Sequence, residues 1–234
     1  VATIGLSDLY YAPITESATG IETYGTPTKM AKAIQANLSI DISEAMLFAD
    51  DSAQESVREF QSGTLSLGVD DITPEVAAVL LGAGVDENGV LISSSEDVGP
   101  PVAVGFRARR ANGKFKMFWL YRVLFGTPST SLQTKGDSVT FQTPTVEGVI
   151  MRRNKPDARG RHPWKAECVE GHTNVSEATI NGWFNAVYDP DFPDATATGT
   201  SGVSPASGAL VLDTPIPAAN KTNKTADKSE TKSE

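Results

Sequence analysis

Few side chains in this sequence are of types that do chemistry. The single cysteine, Cys168, stands between His162 and His172. Two histidines and a cysteine are zinc-ligand types, but these spacings match no usual pair and no fourth ligand stands nearby. Loop histidines and a small core cysteine are the plainer reading. A Cys–His nucleophile pair is disfavoured, because Cys168 falls in the middle of a predicted strand, where a buried, inert thiol is the default. Asp50–Asp51 and Asp70–Asp71 are carboxylate pairs of the kind that acid–base work or a divalent ion would use. Adjacent acids on a strand point to opposite faces, however, so a solvated charged surface is favoured over either. No phosphate-binding glycine loop and no nucleophile elbow is present. The sequence therefore predicts no catalytic residue, no metal and no cofactor. Its other chemical feature is basic: Arg107, Arg109, Arg110, Lys114 and Lys116 flank the turn Asn112–Gly113. Such a stripe would bind nucleic acid or acids on another protein surface. Trp119, Phe118 and Tyr121 do not interleave with it as a stacking platform would, which favours the protein surface.

Long strands must position these groups. Ile34, Ala36, Leu38, Ile40 and Ile42 alternate with Gln35, Asn37, Ser39 and Asp41, the period of a half-buried strand. A second alternation follows at Leu65, Leu67 and Val69. Between them the charged stretch from Ser43 to Ser62 (Glu44, Asp50, Asp51, Glu55, Arg58, Glu59) reads as a long excursion joining two antiparallel strands. Thr73–Pro74–Glu75 starts a helix whose apolar face is Val76, Val79 and Leu80, ended by Gly82 or Gly84. Asp86–Glu87–Asn88–Gly89 is a turn before a short strand at Val90–Ile92. Strands are predicted at Val102–Arg109, Lys114–Phe125, Val139–Val149 and Trp164–Val169, with a basic loop at Asn154–Pro163. In Lys114–Phe125 both alternating sets are apolar, so both faces are covered; in an assembly the second would meet a neighbour. Ser176 caps a second helix bearing Ile180, Trp183, Phe184 and Val187, which ends at Asp189–Pro190. The fold class is mainly β, an antiparallel sandwich or half-barrel with long hairpins and two short helices.

The core must come from the first 190 residues or so, giving a domain over 1–194 and an extension over 195–234, rich in Ser, Thr, Gly, Ala and Pro, whose last part is expected to be disordered. Net charge is −9, but residues 1–99 hold 16 acids against Lys29, Lys32 and Arg58, while 100–170 hold 13 basic residues against five acids. That split reads as two binding surfaces, as two faces that attract between copies, or as charge scattered over one soluble surface. One cysteine excludes an internal disulfide and fits a reducing compartment. No apolar run approaches the roughly 20 residues that span a bilayer, and the first residues lack the pattern of a signal peptide. A cytosolic origin is expected.

From about Gly5 to Asp191 the order of segments resembles the phage major tail protein family of siphophages, in its phi13-type branch. The resemblance is carried by Tyr11–Ala12–Pro13–Ile14–Thr15–Glu16, Tyr24–Gly25–Thr26–Pro27, Leu47–Phe48–Ala49–Asp50–Asp51, Asp86–Glu87–Asn88–Gly89–Val90–Leu91 and Asn181–Gly182–Trp183–Phe184–Asn185–Ala186–Val187–Tyr188. It implies a tail tube fold and a virion structural role: hexameric rings, stacked into a hollow tube that conducts the genome. The implied partners are further copies of the chain, a tape measure protein inside the tube, tail tip and terminator proteins, and DNA in passage, with no membrane. The implied location is the virion tail, after the host cytoplasm. The excursion with Ser43, Glu44, Phe48, Asp50, Asp51, Glu55, Arg58 and Glu59 corresponds to the loop that reaches the adjacent ring. Channel candidates are Asp41, Asp50, Asp51, Glu55, Glu59 and Asp70, since acids let phosphates slide past. Arg107, Arg109, Arg110 and Lys114 are the candidate basic surface between subunits. The competing readings are a β-sandwich module binding a glycan or surface partner, and a hydrolase using an acidic pair.

Overall fold

Lys32 alone separates two strands that lie on opposite edges of the sheet, and this forces the sheet to curl. The computed structural model describes residues 1–18, 20–49, 52–129 and 143–192, with the side chains of 45–49 and 52–57 excepted; all fall in the folded unit Val1–Ala195. In chain order the elements are β1 (Thr3–Glu16), β2 (Glu22–Tyr24), β3 (Thr28–Ala31), β4 (Ala33–Ala49), β5 (Ser52–Val69), α1 (Pro74–Leu81), β6 (Gly84–Val85), β7 (Leu91–Ile92), β8 (Val102–Arg110), β9 (Phe115–Phe125), β10 (Thr145–Met151), β11 (Lys165–Val169) and α2 (Glu177–Gly182). One nine-stranded sheet runs β2-β1-β8-β9-β10-β5-β4, with β3 on β1 and β11 on β9. Every pairing in it is antiparallel. Because β3 pairs with β1 and β4 pairs with β5, the single residue between β3 and β4 brings the two edges together. The fold is mainly β, a part-closed antiparallel barrel with two short helices.

The sheet's two sides carry two cores. Leu9, Leu65, Leu67, Val69, Val104, Leu120, Val123, Val146 and Ile150 line the concave side and are closed over by Val76 and Leu80 of α1. The other side carries Ala12, Ala103, Met117, Trp119, Tyr121 and Cys168 beneath Trp183 and Val187. Trp119 is fully buried. Its indole N–H donates to the Trp183 carbonyl at 2.9 Å, and Gly105, its cross-strand partner, leaves room for the ring. A Cβ at Gly105 would stand 2.8 Å from the Trp119 ring atoms, the close approach for which a strand glycine is used.

Several expectations are corrected. The excursion from Ser43 to Ser62 is not a loop in its described part: both strands continue, paired from Ala33↔Val69 out to Ala49↔Ser52. Alternation fails to reveal this because register shifts at Asp41/Ile42 and Leu47/Phe48 break the period. The second face of β9 is covered by the α2 segment of the same chain, not by a neighbour. The strand expected at Val139–Val149 begins after Pro144 and runs to Met151; residues 139–142 lie outside the described ones. β1 was not foreseen: Asp8 at φ 53 and the register shift between Ser7 and Tyr10 interrupt its alternation, and Pro13 reads as a breaker. Thr73 holds the cap position of α1 without a side-chain capping bond, and Gly82 ends that helix at φ 71. α2 is capped by Ser176, which accepts from the Thr179 N–H, and stops at Gly182. Trp183 and Val187 reach the core from the turns that follow.

Candidate assembly surfaces

The hairpin of β4 and β5 has a body part and an arm. β10 pairs with β5 only from Gly68 to Gly63. Among the described residues, the strand beside β5 beyond Gly63 is β4. Phe60 stacks on Trp164 with centroids 4.8 Å apart and planes at 4°, which ties the base of the arm to the body. From Ser43 and Glu59 outward the ribbon runs on alone for about seven residues per strand, or about 23 Å. Glu44 and Arg58 face each other on it as an ion pair at 3.0 Å. Phe48 and Glu55 belong to its strands, while Asp50 and Asp51 lie outside the described residues.

Alternation fixes which side of β10, β5 and β4 is bare. Leu65, Leu67, Val146 and Ile150 point into the concave core, so Thr64, Ser66, Glu147 and Val149 point the opposite way, to the side that carries α2 over β9. The register aligns them in rows: Asn37, Ser66 and Glu147; then Ser39, Thr64, Val149 and Leu124. Asp41 and Ser62 form the next pair, and Ser43 with Glu59 continues the face onto the arm. Among the described residues of these three strands, this face holds the acids Asp41, Glu59 and Glu147 and no lysine or arginine. The sequence reading had Asp41 and Glu59 but missed Glu147, whose only signal was the alternation of Val146, Gly148 and Ile150 around it. Asp70 sits at the root of the hairpin, just past Val69. Its Oδ1 accepts the backbone N–H groups of Lys32 (2.9 Å) and Asp71 (2.9 Å), which lock the root of the hairpin. The bond from Lys32 holds its carboxyl below the usual carboxylate range. At the outer edge, Ile34, Leu38 and Ile42 of β4 are 54%, 39% and 60% exposed, an apolar row on an edge strand.

Much of the basic middle segment is neutralised within the chain. Arg107 pairs with Asp8 at 2.5 Å and lies over the Phe115 ring. Arg122 bridges Glu16 and the buried Glu22. Arg159 pairs with Asp157 at 2.8 Å, and that carboxylate also accepts the N–H groups of Arg159 and Arg161, so the basic loop folds around it. Among the described residues the side chains left without a partner in this segment are Arg109, Arg110 and Lys114, grouped at the β8–β9 turn, and Arg152 and Arg161, which stand apart from them. Of the four residues expected to form a basic surface, Arg107 is paired with Asp8 and the other three have no partner among the described residues.

Nothing in the geometry gathers a catalytic set. Among the described residues no group of three His, Cys, Asp or Glu is placed to hold a metal ion. Cys168 is buried, and burial pushes its thiol up. His162 Nδ1 lies 3.0 Å from the Arg153 carbonyl, a backbone tie. Among the described residues no helix is long and apolar enough to cross a membrane.

One buried charge fastens the α2 segment. Arg153 is fully buried, lies over the Tyr121 ring, and donates to Asp189 Oδ1 at 2.7 Å. Burial opposes the Asp189 carboxylate, but hydrogen bonds from Lys155 and Arg153 outweigh it and hold its pKa below the usual carboxylate range. A depressed carboxylate contributes stability that is fully present above its unfolded pKa and is lost as pH falls through the lower folded value. Asp189→Asn is therefore expected to lower the melting temperature at pH 7, with the gap closing as pH falls below the usual carboxylate range. A melting series against pH measures this, and a gap that stays constant down to acid refutes it.

No family model matches the chain, and no curated protein matches it. Two solved structures bear a partial likeness to it. One is the anti-feeding prophage baseplate, solved by cryo-electron microscopy with 6-fold symmetrisation, at 10% identity and TM-score 0.30 over 72% of this chain and 97% of that one. The other is a crystal structure of Hcp protein, at 11% identity and TM-score 0.31 over 70% of this chain and 99% of that one.

Proposed function

We propose that this chain is a virion structural protein, the major subunit of a phage tail tube, which assembles as stacked hexameric rings around a channel for the genome. The carrying observation is one sheet side that, among the described residues, is packed under α2 across β9 yet bare, mostly polar and without cations across β10, β5 and β4. In the ring that bare face is the channel wall. Each lysine or arginine on such a wall would bind phosphate with release of counterions and hold the DNA. Ser, Thr, Asn and a few acids let it pass. The edge strand β4, with Ile34, Leu38 and Ile42 exposed, is covered by the next copy, which removes the unpaired edge. The arm beyond Ser43 and Glu59 reaches the adjacent ring. The tape measure protein occupies the channel before the DNA, tip and terminator proteins close the ends, and the subunit waits in the host cytoplasm until nucleated. No substrate is turned over.

Negative-stain imaging of the purified chain, with and without a tail-tip template, tests the reading. Tubes of uniform diameter are expected with the template. A chain that stays strictly monomeric in its presence overturns it. The channel wall has its own check: Asn37→Lys, Ser39→Lys and Thr64→Lys together should make the tubes retain duplex DNA. The retention should fall with salt at a log–log slope of about 0.9 per phosphate contact. Parent tubes should release DNA at every salt concentration. Equal release by both would remove these residues from the wall.

A further inference from the structure

Two surfaces at opposite ends of β8 are each unfinished, in complementary ways. The first is the segment from Gly82 to Pro101, which contains Asp86, Glu87, Glu96 and Asp97 and no lysine or arginine. It also exposes aliphatic side chains: Val85 is 39%, Val90 55%, Ile92 54% and Val98 79% exposed. Aliphatic exposure grouped on one segment marks a contact surface. The segment is built, not slack. β6 pairs with β7, and Asp86 Oδ1 accepts the N–H groups of Asn88 at 2.9 Å and Val90 at 2.8 Å. Asp97 Oδ2 accepts the Ser94 N–H at 2.7 Å. Its base is clamped where Gly82 and Val98 touch, just before β8 begins at Val102.

The second surface is the β8–β9 turn, at the other end of β8 and about 30 Å away along the strand. Arg109, Arg110 and Lys114 have no partner there among the described residues. The register sets Gly5 against Arg109 and Thr3 against Arg110, so Ile4, 65% exposed, stands beside the cations. Glu170 accepts the Phe115 N–H, at the start of β9, at 2.8 Å.

We propose that the occupant of each surface is the other surface on a second copy of this chain: Val90 and Ile92 pack on Ile4 of the neighbour, with Glu87 and Glu96 opposite its Arg109 and Arg110. The inference rests on the tube reading and names the contact that would propagate it. Because the two patches differ and lie at opposite ends of one strand, the contact is head to tail. It leaves a free patch at each end and extends without limit unless a rotation closes it. Opposed charge sets its direction and disfavours head-to-head pairing.

The test reverses charge at each surface, Glu87→Lys with Glu96→Lys and Arg109→Glu with Arg110→Glu, separately and then together in one full-length chain. Template-seeded polymer is measured by sedimentation, and melting of each monomer checks its fold. Either reversal alone should raise the critical concentration about tenfold or more, and both together should restore it to within about threefold of the parent. Ile4→Cys with Ile92→Cys provides a second readout: an intermolecular cross-link should form in the polymer. Single reversals without effect, losses that add in the combined chain, or tubes that never cross-link would overturn this contact and leave the tube reading standing. A parent that forms no polymer on a template defeats both.

Discussion

With residues 44–58 replaced by an Asn-Gly turn between Ser43 and Glu59, the chain folds, melts within a few degrees of the parent and forms no tubes. The replacement is compatible with the sheet because Ser43 and Glu59 are directly paired, and Asn-Gly is the two-residue turn that fits such a pair. It keeps the stack of Phe60 on Trp164 that ties the hairpin to the body. Among the described residues no other strand lies beside the ribbon it removes, and a solitary chain has little use for such a ribbon: two strands alone are marginal in water and invite pairing. A subunit of a stacked polymer uses the same ribbon as its reach. Imaging and sedimentation at concentrations where the parent polymerises on a template give the result. Normal tubes from the shortened chain would remove the arm from assembly. A shortened chain that fails to fold would show that the arm stabilises the body, contrary to the packing described above.

The arm also shows where the sequence was legible and where it was not. Strands announced themselves by alternation: Leu65 to Val69 alternates because one side faces the core, while in Ile34 to Ile42 only Ala36 and Ile40 pack on it and Ile34, Leu38 and Ile42 stay exposed. The same signal vanished at bulges, where one extra residue inverts every later side chain. The arm therefore reads as an excursion from Ser43 to Ser62, and β1 is lost around Ser7 and Tyr10. β9 erred in the opposite sense. Its two apolar sides were plain, but the sequence gives no measure of which chain covers the second, and Trp183, 64 residues away, does so. Charge misled for a related reason. A segment-by-segment balance cannot see that Arg107 meets Asp8, or that Arg122 meets Glu16 and Glu22, because those pairs are made by cross-strand neighbours distant in the chain. What survives of the acidic–basic division is local: an acidic face, an acidic excursion and a cluster of three unpartnered cations at the β8–β9 turn.

Trp119 is where the largest loss of monomer stability is expected. Trp119→Ala removes a fully buried indole that joins β9 to Trp183 and Phe184, and a change of this kind costs about 3–5 kcal/mol. Trp119→Phe keeps part of the apolar volume but leaves the Trp183 carbonyl without its donor, about 1–3 kcal/mol. Gly105→Ala reaches the same place from across the sheet, because the added Cβ would meet the indole at 2.8 Å. The two positions are therefore coupled in a defined direction. Gly105→Ala should be costly beside Trp119 and much cheaper beside Ala at that position, with an interaction term of about 1 kcal/mol or more. Urea unfolding of the four chains, each with the shortened arm so that assembly does not distort the equilibrium, measures the cycle. Additive losses would mean that the ring does not lie across Gly105. The α2 segment would then be held by the Arg153–Asp189 pair rather than by Trp119, and the acid titration of Asp189→Asn would show the larger effect.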